Sequence, residues 1–174
     1  MKQELNLLDG YTPTNDLLND AKQIIEVSQK AAYRAVNLAL VQRNWLLGYR
    51  IAQEELKGEG RSEYGTAVIR KLAKELTAEY GKGFDYSSLY KYFRFYKLYP
   101  EIVDSVSPQS GALLSWTHYR VLLQVEDKTA RDWYTKEAAN QTWSVRTLQR
   151  NISSQYYYRL LKSQNQEPVK QEME

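Results

Sequence analysis

Apolar residues recur at steps of three and four through most of the chain, and this spacing predicts α-helices. The longest pattern runs from about residue 16 to residue 56 without a proline, and it predicts one long helix or two nearly collinear helices, with Gly48 as the weak point. Thr14, Asn15 and Asp16 precede it and are residue types that cap helix N-termini. Since no stretch alternates apolar and polar residues as a half-buried strand does, we expect an all-α, multi-helix domain with a long N-terminal helix.

Five shorter helical patterns follow, separated by glycine, proline and polar turns. We expect these helices at residues 64–80, 86–98, 115–125, 128–140 and 145–161, with Asp85, Asp127 and Ser144 as N-caps of the third, fifth and sixth helices of the chain. Gly81, expected in a left-handed conformation, opens a short turn between the second and third helices. Two helices joined by such a turn predict a helix-turn-helix core. The last two predicted helices are also joined by a short polar turn. They form either a second helix-turn-helix or a helical hairpin that supports the first one.

These patterns divide the chain into three parts. Residues 1–13 lack periodicity and are expected to be flexible, and residues 163–174 are polar and acidic and are expected to form a disordered tail or linker. Residues 14–162 form the predicted helical DNA-binding domain. Within it, we expect a long helix at 14–57, a helix-turn-helix at 64–99 and helical support at 115–162.

The third predicted helix carries the first candidate DNA-binding surface. We expect Leu89, Phe93 and Tyr96 to face the core, which fixes the outward face of the helix. The outward residues are then Tyr86, Ser87, Tyr90, Lys91, Arg94 and Lys97. Because the N-terminal part of a recognition helix reaches base edges, we assign Ser87, Tyr90 and Lys91 to bases, and Arg94 and Lys97 to phosphates. A solvated basic face, which most helices have, is the alternative.

The start of the sixth predicted helix is the second candidate surface. Arg146, Gln149 and Arg150 follow the Ser144 cap. A guanidinium pairs with guanine and a glutamine amide with adenine, so these residue types suit readout of the major groove. The alternative is an exposed helix start that binds no ligand, because it would show the same residue pattern.

Charge is unevenly distributed along the chain and favours a nucleic-acid partner for its middle part. The net charge is only +3, but residues 61–162 carry 16 basic and 10 acidic side chains, while the first 60 residues are nearly neutral. Residues 86–100 and 145–166 contain no acidic side chain. These two windows coincide with the two candidate surfaces, so we expect DNA as a partner.

Several functional classes are excluded or disfavoured by composition. Without cysteine, and with His118 as the single histidine, the chain cannot form disulfides, cysteine-ligated zinc sites or multi-histidine metal sites. We expect His118 to be a structural hydrogen-bonding residue. No cluster of titratable residues suggests catalysis, so we predict a non-enzymatic domain with no catalytic residue, cofactor or metal. Neither a secretory signal nor a membrane span is visible, and we expect a cytoplasmic protein that does not enter membranes.

Four segments carry a family resemblance: WLLGYRIAQEE, YGTAVIRKLAKELTAEYGKGFDYSSLYKYFRFYKLYP, LSWTHYRVLL and ARDWYTKEAANQTWSVRTLQRNI. Together they resemble the N-terminal domain of YhcG-type bacterial proteins, a helical domain of unknown function that precedes a PD-(D/E)XK nuclease domain. The resemblance implies a DNA-binding module that serves a nuclease. The chain stops at Glu174, where that nuclease domain would start, so we expect it to be either the N-terminal part of a longer protein or a stand-alone version of the domain. In both cases we expect the catalytic domain to be absent from this chain, and a nuclease domain is a candidate partner in the full-length protein.

A more distant resemblance is to the central DNA-binding domain of ParB-like partition proteins. It rests on GKGFDYSSLYKYFRFYKLYP, LSWTHYRVLL and WSVRTLQR. This resemblance implies that residues 86–97 form the recognition helix and that the later helices support it.

The alternative function is that of a protein-interaction or dimerisation module which docks a nuclease or another helical partner. The long first helix favours self-association, because it exceeds what a small domain needs to cover its own core. Its small residues Ala31, Ala32, Ala35 and Ala39 permit close approach of a second helix. We therefore predict a homodimer formed through residues 16–56.

Overall fold

A computed structural model of the protein describes residues 10–57, 62–102 and 114–164, and its regular elements are all helices. They are α1 (Leu17–Leu56), α2 (Ser62–Tyr80), α3 (Tyr86–Leu98), α4 (Trp116–Leu122), α5 (Lys128–Asn140), α6 (Val145–Ser153) and α7 (Tyr156–Gln164). The predicted all-α class and the long N-terminal helix are confirmed. The expected flexible N-terminus up to residue 9 and the expected tail from residue 165 lie outside the described residues. None of these helices combines the length and the apolar character that crossing a membrane requires.

The long helix α1 enters the core only through its C-terminal half. Asp16 caps its first turn by accepting hydrogen bonds from the backbone N–H groups of Leu18 (2.9 Å) and Asn19 (3.2 Å). The buried residues of α1 are Val41, Asn44, Gly48, Ile51 and Ala52. The helix continues through Gly48, which was predicted to be its weak point. The glycine marks instead the place where α3 crosses α1, since a Cβ atom there would lie 2.0 Å from the carbonyl oxygen of Tyr92.

Two apolar clusters form the core and meet at Trp116. The first cluster joins α1, α2 and α3 through Ile51, Ile69, Ala73, Leu89 and Tyr92. The second joins α1 and α3 to the C-terminal helices, and its largest fully buried side chains are Phe95, Leu122, Tyr134 and Leu148. Because Trp116 packs against both clusters, α4 fixes the position of α3 relative to the C-terminal helices.

The turn between α2 and α3 occupies residues 81–85. Gly81 has φ +87° and ψ −164°, a combination that only glycine adopts readily, so the expected positive φ is confirmed. Residues Lys82–Phe84 form one 3-10 turn, and the Tyr92 hydroxyl donates a hydrogen bond to the Gly83 carbonyl (3.0 Å). Asp85 caps α3 by accepting a hydrogen bond from the N–H of Ser88 (2.8 Å). The turn is therefore held to the helix that follows it.

The predicted helix at 145–161 is wrong as a single helix, because it divides into α6 and α7 at Gln155, whose φ is +52°. The hydroxyl of Tyr134 compensates for the interrupted backbone bonds. It donates to the carbonyl of Asn151 (3.2 Å) and accepts from the N–H of Tyr157 (3.1 Å). Tyr134 lies on α5, so this support for the break comes from a residue that is distant in sequence.

Helix α4 also ends earlier than predicted, at Leu122 rather than near Val125. The buried guanidinium of Arg131 accounts for part of this difference. Its Nη1 atom donates hydrogen bonds to the carbonyl oxygens of Val125 (2.9 Å) and Glu126 (3.3 Å). The carbonyl groups of Val125 and Glu126 therefore have hydrogen-bond partners without being part of a helix.

The carboxylate of Asp127 connects α5 to α7, and its ionisation makes the stability of the fold depend on pH. Its carboxylate accepts hydrogen bonds from the Tyr158 hydroxyl (2.8 Å) and from the N–H groups of Thr129 (2.8 Å) and Ala130 (3.2 Å). The Tyr158 hydrogen bond is the largest cause that lowers the pKa of Asp127 below its usual 3.8. Because this pKa is lowered by folding, the contribution is present above the ordinary value and is lost as pH falls through the folded value.

We therefore expect Asp127→Ala to lower the thermal midpoint by about 3 °C at neutral pH and by much less in strong acid. Tyr158→Phe should flatten the same pH dependence. Thermal denaturation followed by circular dichroism at a series of pH values measures both effects. Equal losses of stability at both ends of the pH range would contradict this role of the carboxylate.

Candidate nucleic-acid interface

Helix α3 buries Leu89, Tyr92 and Phe95, which are 0%, 4% and 0% exposed. The prediction that Leu89 faces the core is confirmed. The predicted rotation of α3 about its axis is wrong, because Phe93 and Tyr96 are only half-buried. The contacts of α3 on two sides explain the difference. Helix α3 crosses α1 where the backbone of Tyr92 meets Gly48. Phe95 packs against α4, and its ring centroid lies 4.8 Å from that of Tyr119.

The N-terminal half of α3 exposes aromatic and polar side chains next to the turn. Tyr86 and Tyr90 are 38% and 44% exposed, and their rings are stacked with centroids 6.2 Å apart and planes 8° apart. The guanidinium of Arg70, on α2, lies 6.0 Å from the centre of the Tyr86 ring. Ser87 is exposed beside these rings. This end of α3 therefore presents flat rings, a hydroxyl and a cation together.

A polar recess of about 220 Å³ lies beside this end of α3. Its lining residues are Asp85, Ser87, Ser88, Lys91, Tyr92, Trp116 and Arg120. We call it the α3–α4 recess. Lys91 is half-buried and Arg120 is exposed, and neither side chain forms an ion pair or hydrogen bond with another residue in the described ranges. Two cations thus face one carboxylate, that of Asp85, which caps α3, so the recess suits an oxyanion such as phosphate.

Arg94 and Lys97, the two predicted phosphate contacts, have partners inside the protein. The half-buried guanidinium of Arg94 donates a hydrogen bond from Nη2 to the carbonyl oxygen of Leu123 (3.0 Å). This bond ties α3 to the end of α4, so Arg94 is not the free outward residue that we expected. Lys97 is exposed, with its Nζ 3.8 Å from a carboxylate oxygen of Glu55 and 5.3 Å from the centre of the Phe93 ring.

Arg120 is the cationic residue of this surface that the sequence analysis did not identify. It follows Lys91 by 29 positions and belongs to a different helix, so no local spacing connects the two. Packing of Trp116 against both apolar clusters brings α4 to the side of α3. The contact between Arg70 and Tyr86 was missed for the same reason.

The second candidate surface lies on α6. Arg146, Gln149 and Arg150 are all exposed, whereas Leu148 is fully buried on the opposite side of the helix. The Ser144 cap is present, since its hydroxyl oxygen accepts a hydrogen bond from the N–H of Thr147 (3.1 Å). DNA contact by these residues stays a prediction.

His118 has a structural role, as expected. Its Nδ1 accepts a hydrogen bond from the N–H of Ser115 (3.2 Å), so its Nε2 carries the proton and donates to the carbonyl oxygen of Trp143 (2.9 Å). The ring thereby joins the start of α4 to the start of α6. Across the described ranges, no three side chains of the metal-binding types gather as an ion site.

Replacing His118 with alanine should destabilise the domain by about 1–3 kcal/mol, because two partly buried backbone groups lose their partner. Urea denaturation measures this loss. Unchanged stability would show that water replaces the ring at no cost.

An apolar groove between α1 and α2 is the larger concavity, at about 620 Å³. Its walls contain Leu47, Ile51, Tyr64, Val68 and Leu72, and charged residues border them. The groove lies on α1 and α2, while the α3–α4 recess is formed by α3, α4 and the turn before α3.

Comparison with known proteins gives two matches. Residues 20–159 match the family described as the DUF1016 N-terminal domain. The chain is also 27% identical, over 196 aligned residues, to "Putative nuclease YhcG" from Escherichia coli (strain K12), covering 96% of this chain and 52% of that protein. The chain therefore spans about half the length of the curated relative that it matches. No solved structure matches it.

Proposed function

The chain belongs to the DUF1016 N-terminal domain family, and on that premise we propose that it is a DNA-binding module which directs a nuclease-type protein to DNA. In this proposal α2, the turn at 81–85 and α3 act as a helix-turn-helix. Nuclease activity is suggested by the name of the Escherichia coli relative, which is about twice as long as this chain. We assign cleavage to the remainder of such a longer protein and no catalytic role to the residues described above.

The observation that carries the proposal is the convergence of Lys91 and Arg120 on the α3–α4 recess. Neither cation has a hydrogen bond or ion pair with another residue that the structure describes, and the two come from helices that the core holds in place. Lysine and arginine that contact phosphate supply most of the affinity of a protein for DNA and fix its position on the duplex. A phosphate in this recess would lie next to the exposed N-terminal end of α3.

Base contacts would then come from the exposed start of α3. In helix-turn-helix proteins, the N-terminal residues of the second helix contact base edges in the major groove. Ser87 and Tyr90 occupy these positions and are exposed. Tyr86 adds a ring whose position is supported by Tyr90 and Arg70. The proposed contacts on α3 are therefore Tyr86, Ser87, Tyr90 and Lys91, with Arg120 joining them from α4.

Arg94 acts in this proposal by holding α3 against α4, since its guanidinium is bonded to the Leu123 carbonyl. Lys97 can reach DNA only by giving up its contact with Glu55, which is a weak surface pair. Arg146, Gln149 and Arg150 of α6 form a second proposed contact, because their exposed side chains suit guanine, adenine and phosphate.

A second candidate function is protein docking, and the groove between α1 and α2 favours it. Its apolar walls and charged border suit an amphipathic helix from the remainder of a full-length relative. Docking in this groove would leave the α3–α4 recess free, so the two functions are compatible.

Binding of fluorescently labelled DNA, measured by anisotropy, tests the leading proposal. Duplex, branched and single-stranded DNA should be compared at about 50 mM and about 200 mM salt, since phosphate contacts weaken strongly over this range. We expect binding that weakens at the higher concentration. If none of the three DNA forms binds at either concentration, the DNA-binding proposal is wrong and the protein-docking function replaces it.

A further inference from the structure

Helix α1 carries an exposed seven-residue repeat. From Leu18 to Leu46 every seventh position is apolar, and a second row of small or polar residues follows three positions after each of the first four. The first row is Leu18, Ile25, Ala32, Ala39 and Leu46, and the second row is Ala21, Ser28, Ala35 and Gln42. Spacings of three and four that repeat every seven residues form the contact line of a coiled coil. We call these two rows the α1 seam.

Apart from the half-buried Ala21, the residues of the α1 seam are exposed in the part of the domain that the structure describes. Leu18, Ile25 and Leu46 are 64%, 56% and 53% exposed, and exposed apolar residues that form a continuous line are a mark of interaction surfaces. Where α1 enters the core, the buried residues are Val41, Asn44 and Gly48, which lie on the opposite side of the helix from Leu46. A partner helix could therefore lie along the α1 seam from Leu18 to Gln42, about 36 Å, without meeting α3.

We propose that the α1 seam pairs with the same seam of a second copy of this chain, as an antiparallel two-stranded coiled coil. A repeat of apolar residues along one line is self-complementary, as a two-fold symmetric interface requires. Alanine and serine at most inner positions allow the two helices to approach closely, and Leu18 and Ile25 supply the larger apolar contacts. This pairing is independent of DNA binding.

Charge along α1 selects the antiparallel orientation. The N-terminal part carries Asp16, Asp20 and Glu26 against one Lys22, whereas the following part carries the cations Lys30 and Arg34 and no acidic residue before Glu54. Arg43 is bonded to Asn44 and packs on Phe84 within the protein. A parallel pair would place acidic ends together and basic segments together. An antiparallel pair places the acidic end of one helix beside the basic segment of the other, which favours that orientation.

The mass of the protein in solution tests the pairing first. Sedimentation equilibrium of the whole chain should give twice the monomer mass of 20.4 kDa. The variant Leu18→Glu/Ile25→Glu should give the monomer mass and keep a cooperative unfolding transition, since both side chains lie outside the core. Tyr33→Glu is the matched control, because Tyr33 is 73% exposed and lies away from the α1 seam, so it should remain a dimer.

Engineered cysteines test the orientation, because the natural chain contains none. In antiparallel pairing with the two rows facing each other, Ile25 lies opposite Ala35 and Leu18 lies opposite Gln42. A mixture of Ile25→Cys and Ala35→Cys proteins should form a disulfide-linked dimer on oxidation, as should the Leu18→Cys and Gln42→Cys mixture. Each variant alone should stay unlinked. Efficient self-linking of Ile25→Cys, dimers without any link through α1, or a monomeric natural chain would each overturn the proposal.

Discussion

Gly48→Ala is expected to destabilise the protein by about 3 kcal/mol or more, although alanine is the better helix former by about 1 kcal/mol. The added methyl group would lie 2.0 Å from the carbonyl oxygen of Tyr92 and 2.6 Å from its carbonyl carbon. These are backbone atoms of α3, so they cannot rotate away as a side chain does. The clash is relieved only if α1 and α3 separate, which opens the cluster around Leu89 and Ile51.

Urea denaturation of Gly48→Ala measures this effect, and Gly83→Ala is its matched control. A Cβ atom at Gly83 would have no neighbour within 4 Å, and the backbone there has no positive φ. The control should therefore change the free energy of unfolding by less than about 1 kcal/mol. If the two variants were equally stable, α1 and α3 could not cross as closely as described.

Lys91→Ala/Arg120→Ala is expected to weaken DNA binding by at least about 100-fold. Each charge-assisted contact contributes about 1.5–3 kcal/mol, and tenfold in affinity corresponds to about 1.4 kcal/mol. Folding should change little, since neither side chain makes a hydrogen bond or ion pair in the described part of the chain. Anisotropy with labelled DNA measures the affinity, and circular dichroism verifies the fold.

Two further variants separate direct contact from support. Lys22→Ala/Lys30→Ala removes the same charge from exposed positions of α1 and should change affinity by less than about threefold. Arg94→Ala should lower stability, because it removes the hydrogen bond to the Leu123 carbonyl. Equal loss of binding in the two double variants would show that affinity depends on total charge and not on the α3–α4 recess.

Local signals in the sequence predicted much of the fold. The caps Asp16, Asp85, Asp127 and Ser144 all accept hydrogen bonds from the first turns of their helices. Gly81 adopts the positive φ that its place after α2 required. Capping and turn residues act within a few positions of themselves, so their effect is visible in the chain without knowledge of the tertiary structure.

Features that depend on tertiary contacts were not predictable in this way. Residues 86–99 are rich in aromatic side chains on every side of the helix, so the pattern could not distinguish Tyr92 and Phe95 from Phe93 and Tyr96. Packing against Gly48 and α4 decides between them. The break at Gln155 depends on the Tyr134 hydroxyl, and the place of Arg120 depends on Trp116. In each case the partner is distant in sequence.

The most direct test of DNA recognition by the α3–α4 recess is the salt dependence of binding for the natural chain and for Lys91→Ala/Arg120→Ala. Each phosphate contact contributes about 0.9 to the slope of the logarithm of the binding constant against the logarithm of salt concentration. If Lys91 and Arg120 both bind phosphate, the slope of the double variant should be smaller in magnitude by about 1.8. If instead the variant kept the slope of the natural chain, the recess would not bind the DNA backbone and the proposed recognition surface would be contradicted.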